Sequence, residues 1–191
     1  MTAGLLIFSY LLGSIPNGLI FGKLFWNKDL RQFGSKNIGA TNAWRVLGAK
    51  AGILIFVLDF LKGAICVRLA KYFIGDETTM VLAGILAILG HTFSIFLKLR
   101  GGKGVATGLG VIAVLMPQVT AIVFATWLVI FFVTRYVSLA SIIAATLTPI
   151  LAYLFDAPFA FIIFGLATAF FIIIRHRENI ARLLRGKENR F

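Results

Sequence analysis

Three segments of this chain concentrate side chains able to hold a phosphate. The first is Phe33-Gly34-Ser35-Lys36-Asn37-Ile38-Gly39-Ala40-Thr41-Asn42-Ala43-Trp44-Arg45. Ser35 and Thr41 bring hydroxyls, and Asn37 and Asn42 bring amides. Glycines such as Gly39 let backbone N–H groups approach an oxyanion, and Arg45 supplies a planar fork matched to phosphate. The Thr41-Asn42 pair is also of a type that caps a helix whose N-terminus favours an anion. The same residues read equally as an ordinary polar loop ending in a cap. The second segment is Arg100-Gly101-Gly102-Lys103-Gly104-Val105-Ala106-Thr107-Gly108-Leu109-Gly110. Glycines around Lys103 at the start of an apolar run suit an anion nest that feeds a helix N-terminus. They suit as well a basic turn whose glycines pack a helix on its neighbours. A Walker A loop would place Gly where Leu97 stands and Ser or Thr where Gly104 stands, so ATP binding is not supported. The third segment is the tail from Arg175 to Glu188. Ile180, Leu183 and Leu184 recur at helical spacing, and an amphipathic basic helix on anionic headgroups accounts for Arg182, Arg185 and Arg190. It accounts less well for His176 and Asn179, which sit where the last apolar run ends.

Charges inside apolar runs carry more weight, because burying one in lipid is costly. Asp59 and Lys62 lie three apart, on one helix face, and can pair. The pair is either a structural ion pair facing a bundle or a support for a polar site. His91, beside Thr92 and Ser94, is either a hydrogen-bonded helix residue or part of a site. The single Cys66 permits no intrachain disulfide and reads as packing.

The elements that position these segments are membrane spans. The chain has 191 residues, is 60% hydrophobic and carries 19 Lys plus Arg against 7 acidic residues. A span needs about 20 apolar residues. The apolar runs fall at about 3–21, 51–73, 80–97, 105–116, 118–133, 137–155 and 159–174, leaving no room for a soluble domain. The first is interrupted by Gly13, Pro16 and Asn17. It lacks a basic leader and reads as a span, not a removable signal. The fourth is short enough to be tilted or re-entrant. Sixteen of the 19 basic residues fall in 23–50, 98–103, Arg135 and the tail, whereas the alternate turns hold Asp76, Glu77 and Asp156. The positive-inside rule then places the N-terminus outside and the C-terminus in the cytoplasm, which requires an odd number of crossings. The expectation is an all-α integral membrane protein, one domain over 1–191, built as a seven-helix bundle. No internal repeat is visible, which weighs mildly against a transporter.

In these segments the chain resembles the bacterial acyl-phosphate:glycerol-3-phosphate acyltransferases. The residues that carry the resemblance are Gly34 to Asn42 with Arg45, Gly90-His91 with Arg100 to Gly104, and Arg175 to Ile180 with Arg182-Leu183. Asp59-Phe60-Leu61-Lys62-Gly63 is also similar to that family. The match is ordered along nearly the whole chain. It implies a multi-pass enzyme of the bacterial inner membrane, with its site at the cytoplasmic face. Such an enzyme transfers a fatty acyl group from acyl phosphate to the 1-hydroxyl of glycerol 3-phosphate. The products are lysophosphatidic acid and inorganic phosphate, in the first step of phospholipid synthesis. No cofactor, metal, coenzyme A or acyl carrier protein is implied, and no nucleic acid.

The resemblance further implies roles. Ser35, Asn37, Gly39, Thr41, Asn42 and Arg45 would hold the phosphate of acyl phosphate. Arg45, His91, Gly101, Gly102, Lys103, Gly104, His176, Arg177 and Asn179 would hold glycerol 3-phosphate. Ser35, Arg45, Lys103, His176 and Asn179 would act in catalysis, with Asp59, Lys62 and Glu178 in support. Which loop takes which phosphate, and whether His176 or a substrate oxygen takes the proton, stays open. A His-x4-Asp dyad is not evident, since Phe96 follows His91 by five and Ala181 follows His176 by five. The rivals are an organic-phosphate transporter and a non-enzymatic binder of anionic lipid.

Overall fold

The computed structural model describes residues 1–191, and every regular element in it is helical. In chain order these are α1 (Thr2–Ser14), α2 (Asn17–Trp26), a 3-10 turn (Leu30–Gln32), α3 (Ala40–Leu47), α4 (Ala49–Phe73) and α5 (Glu77–Thr92). A second 3-10 turn (Ile95–Leu97) precedes α6 (Val105–Leu115), α7 (Pro117–Thr134), α8 (Val137–Leu154), α9 (Phe159–Arg175) and α10 (Arg177–Leu184). Three segments are long and apolar enough to cross a membrane: Glu77–Leu97, Pro117–Thr134 and Val137–Leu154. Counting the bent pairs α1 with α2 (41°) and α9 with α10 (61°) as single spans brings the number to five. Helix α4 is long enough at 25 residues but carries Asp59, Lys62, Arg68 and Lys71. Helix α6, at 11 residues, is short.

Local chemistry sets most boundaries. Pro16 has no N–H to continue α1, so the chain turns at Ile15 and restarts at Asn17. The Asp76 carboxylate caps α5 by accepting from the Thr79 N–H at 2.8 Å. Pro117 opens α7 at a position where its missing N–H costs nothing, and Arg135 closes that helix in the left-handed region. Two expectations need correction: the first run extends to Trp26, and the polar stretch 23–50 contains the helix α3. The break at Pro16 falls where the interruption is expected. The third run, 80–97, lies within the crossing-length segment Glu77–Leu97, whose α-helix ends at Thr92 and whose last turn is 3-10. The amphipathic α3 escapes a hydropathy window because its polar and apolar faces average out.

The chain divides into two compact units, Met1–Val111 and Ile112–Phe191. In the first, small residues let helices touch at their backbones. A Cβ at Gly13 would overlap the Ala87 backbone, and one at Gly90 would overlap the Tyr10 carbonyl, so α1 and α5 pack closely. Gly63 meets Thr107 and Gly110 meets Phe60 in the same way, which draws α6 against α4. Leu30, Ala43 and Ile55 form an apolar cluster beneath the first polar loop, with Ala40, Val46 and Leu47 packed on it. In the second unit Gly165 of α9 lies against Pro149 of α8, with the proline Cα 3.2 Å from where a Cβ would be.

Candidate active site

The first polar loop is tied at its entrance by Asp29. Its carboxylate caps the 3-10 turn by accepting from the Arg31 N–H at 3.0 Å and takes the Arg31 guanidinium at 2.6 Å. The Arg31 side chain, chiefly, holds the Asp29 carboxyl down at about 2. Beyond it, Gly34 (φ +57°) and Lys36 (φ +58°) are both left-handed, and they bracket Ser35 at the tip, where it is exposed. Asn42, only 1% exposed, holds this shape from inside. Its Nδ2 donates to the carbonyls of Asn37 (2.7 Å), Leu30 (3.1 Å) and Phe33 (3.1 Å), and its Oδ1 accepts from the Ser35 N–H at 2.9 Å. The Asn37 Oδ1 accepts from the Gly39 N–H at 2.8 Å. The expected Thr41-Asn42 cap is corrected: Gly39 is the N-cap of α3, without a side-chain cap bond, and both residues lie in its first turn. Thr41 and Arg45 follow on α3, each partly buried.

The glycine segment lies against the C-terminal end of α5. Gly101 N–H donates to the Thr92 carbonyl at 2.9 Å and Gly102 N–H to the His91 carbonyl at 3.1 Å. Those two amides are therefore turned into the protein and not outward as an anion nest would have them. Gly104, at φ +85°, makes the left-handed turn that releases the chain into α6. Lys103 stands between, partly buried. His91 is 5% exposed, with its ring directly behind Gly102. Its Nδ1 is 3.7 Å from Asp59 Oδ1. That oxygen also takes Lys62 Nζ at 3.1 Å and Asn17 Nδ2 at 2.9 Å.

In the second unit, α9 bends into α10 at His176. The His176 ring is 3% exposed, and its Nδ1 lies 2.8 Å from the Ile172 carbonyl. A carbonyl can only accept, so Nδ1 carries the proton, and a neutral ring keeps its acceptor lone pair at Nε2. Asn179, one turn on, donates from Nδ2 to Glu188 Oε1 at 2.6 Å. Ser138 Oγ donates to the same oxygen at 2.9 Å, and Arg182 Nε donates to Glu188 Oε2 at 2.7 Å. Burial pushes the Glu188 carboxyl up, but the bonds from Asn179, Arg182 and Ser138 together outweigh it and hold the group below its ordinary value. Arg177 and Glu178 are exposed; the Glu178 carboxylate lies 4.0 Å from Arg182.

The structure thus gathers Ser35, Asn37, Gly39 and Asn42 into one clasped loop, sets Gly101 to Gly104 along α5, and places His176 and Asn179 at one bend. Sequence reasoning missed Asn17, Ser138 and Glu188 as partners. Asn17 was read only as a helix breaker, and Glu188 looked like one acid in a basic tail.

The family model described as glycerol-3-phosphate acyltransferase matches residues 3–186. A glycerol-3-phosphate acyltransferase of Fusobacterium nucleatum is 45% identical over 186 residues, covering 97% of this chain and 96% of its own. One of Aquifex aeolicus is 46% identical over 188 residues, covering 98% and 97%. Among solved structures, the glycerol 3-phosphate form of an integral membrane glycerol 3-phosphate acyltransferase, PlsY, aligns with a TM-score of 0.96. Its identity is 45%, with 100% of this chain and 95% of that chain covered. The lysophosphatidic acid form aligns at 0.93 with 43% identity, with the same coverage.

Proposed function

The chain belongs to the glycerol-3-phosphate acyltransferase family, and from that premise we propose how its residues perform the reaction. It is a membrane acyltransferase of phospholipid synthesis that acylates glycerol 3-phosphate to lysophosphatidic acid. The observation that carries this is its likeness, over its whole length, to structures in glycerol 3-phosphate and lysophosphatidic acid forms.

The donor is acyl phosphate, so the second product is inorganic phosphate. A mixed anhydride already contains a good leaving group. Attack by the glycerol 1-hydroxyl on its carbonyl needs no acyl-enzyme, and neither acyl carrier protein nor coenzyme A is required. Positioning and charge stabilisation then account for most of the rate. Ser35 and Thr41, with backbone groups of the clasped loop around Asn37 and Gly39, hold the donor's phosphate, and Arg45 offsets its charge. Asn42 maintains the loop. Lys103, between Gly102 and Gly104, neutralises the phosphate of glycerol 3-phosphate. His176 and Asn179, with Arg177 nearby, orient the acceptor and its attacking hydroxyl. The tautomer set by Ile172 supports His176 Nε2 as a proton acceptor. In this reading the chain is one membrane domain of seven crossings in the bacterial inner membrane, with the N-terminus outside and the polar loops in the cytoplasm. The positive-inside distribution supports that orientation.

The test is purified protein with acyl phosphate and glycerol 3-phosphate alone. One phosphate should be released per lysophosphatidic acid formed. Turnover with an acyl thioester but none with acyl phosphate would overturn the donor assignment.

A further inference from the structure

We propose that Asp59 and His91 are positioning residues for the glycine-rich loop, and that residue 102 is glycine because the His91 imidazole stands behind it. The proposal rests on the reading that the Lys103 loop holds the phosphate of glycerol 3-phosphate. It changes what the glycines are for.

Glycines in a phosphate loop are ordinarily explained by a left-handed backbone or by the close approach of a ligand. The first explanation fits Gly104 but not its two predecessors, because neither Gly101 nor Gly102 is in the left-handed region. The second fails on direction. A Cβ at Gly102 would point into the protein. It would overlap His91 Nε2 and lie 2.8 Å from Cε1 and 3.1 Å from Cδ2. A Cβ at Gly101 would overlap the His91 carbonyl oxygen and lie 2.9 Å from that of Thr92. The space that glycine leaves open therefore faces α5, and the loop leans on the end of that helix through ring contact and two backbone hydrogen bonds.

The ring is itself held. Asp59 and Lys62 are 3% and 4% exposed, and such a pair is costly to bury. Its construction explains why it is kept. Asp59 Oδ1 gathers Asn17 from the start of α2, Lys62 from its own helix and His91 from the end of α5. Lys62 also donates to the Ile15 carbonyl, at 3.0 Å, in the break between α1 and α2. One carboxylate oxygen thus joins three helix segments and faces one ring nitrogen of His91, while the other ring nitrogen abuts Gly102. A shift of this carboxylate is passed through a rigid ring to the residue before Lys103.

The experiment is a suppressor pair, read by steady-state kinetics and thermal unfolding. Gly102→Ala should raise KM for glycerol 3-phosphate about tenfold or more, as expected for overpacking a tight contact, with KM for acyl phosphate unchanged. His91→Asn keeps an amide nitrogen near the Nδ1 position facing Asp59 but removes the ring atoms behind Gly102. Alone it should raise KM for glycerol 3-phosphate about threefold, since the loop loses its backing. Combined with Gly102→Ala it should restore most of the lost affinity. Asp59→Asn should raise the same KM selectively. If Gly102→Ala does not fold, recovery of folded protein in the double variant is the equivalent readout. A double variant as impaired as Gly102→Ala, or worse, would overturn the proposal and return Gly102 to direct ligand contact. Lys103→Ala with full turnover would instead remove the loop reading, and recovery of the unfolding temperature of Gly102→Ala in the double variant would still decide the packing claim.

Discussion

Replacing Asn42 separates two ways in which a polar residue of the first polar loop can matter: by shaping the loop or by touching a ligand. The Asn42 amide is buried and makes bonds to Leu30, Phe33, Asn37 and Ser35. Nδ2 has only two hydrogens, so the equivalent of three full bonds is at stake. A hydrogen bond contributes a net of about 1 kcal/mol, and buried groups left unpaired add to that. Asn42→Ala should therefore lower stability by about 3 kcal/mol. For a chain of this size that is a fall of about 6–12 °C in unfolding temperature. The assay is thermal unfolding in detergent, with turnover measured well below the transition. Turnover should also fall, because the Ser35 N–H loses its anchor. Asn42→Asp should be at least as destabilising: it keeps an acceptor for Ser35 but sets a carboxylate against three carbonyls. Were Asn42 instead a direct phosphate ligand, alanine would abolish turnover at an unchanged unfolding temperature. An Asn42→Ala protein that melts within about 2 °C of the parent would refute the clasp, since that corresponds to less than one hydrogen bond.

Three further outcomes are expected. Glu188→Gln should destabilise the tail bend and lower turnover, because it leaves Arg182 facing an amide and weakens the anchor of Asn179. The folded Glu188 carboxyl sits below its ordinary 4.5, so its contribution is present above that pH and is lost as pH falls through the lower folded value. The parent should lose stability in that acid window and Glu188→Gln less so; identical acid profiles would count against the cluster. His176→Ala should remove the ionisation of a histidine from the pH dependence of kcat/KM, and an unchanged profile would eliminate His176 as proton acceptor. Single cysteines at Asp76 and Asp156 should react with an impermeant thiol reagent from outside the cell, and those at Lys98 and Arg135 only after lysis. Labelling of Lys98→Cys from outside would refute the orientation. Cys66 is fully buried, so background labelling should be low.

How much was legible in the residues differs by element. The last six apolar runs correspond to helices α4 to α9, with ends shifted by a few residues, because hydropathy and prolines such as Pro117 act locally. The break at Pro16 was visible for the same reason. The three polar segments stood out because Ser35, Arg45, Lys103 and His176 are chemically conspicuous between apolar runs. What could not be read was where each polar atom's capacity goes. Asn42 and Ser35 look alike as phosphate ligands in sequence, yet one is wholly engaged in shaping the loop and the other is exposed at its tip. Gly102 and Gly104 look alike, yet one answers to a ring behind it and the other to a positive φ.

The sequence by itself determined that the chain is helical, lies in a membrane and gathers most of its basic residues in the polar segments between apolar runs, since composition, period and charge sorting are properties of short stretches. Only the tertiary structure decided that Asn17 meets Asp59 across 42 positions and that Ser138 meets Glu188 across 50. A buried polar atom must find a partner, but nothing local specifies which distant residue supplies it.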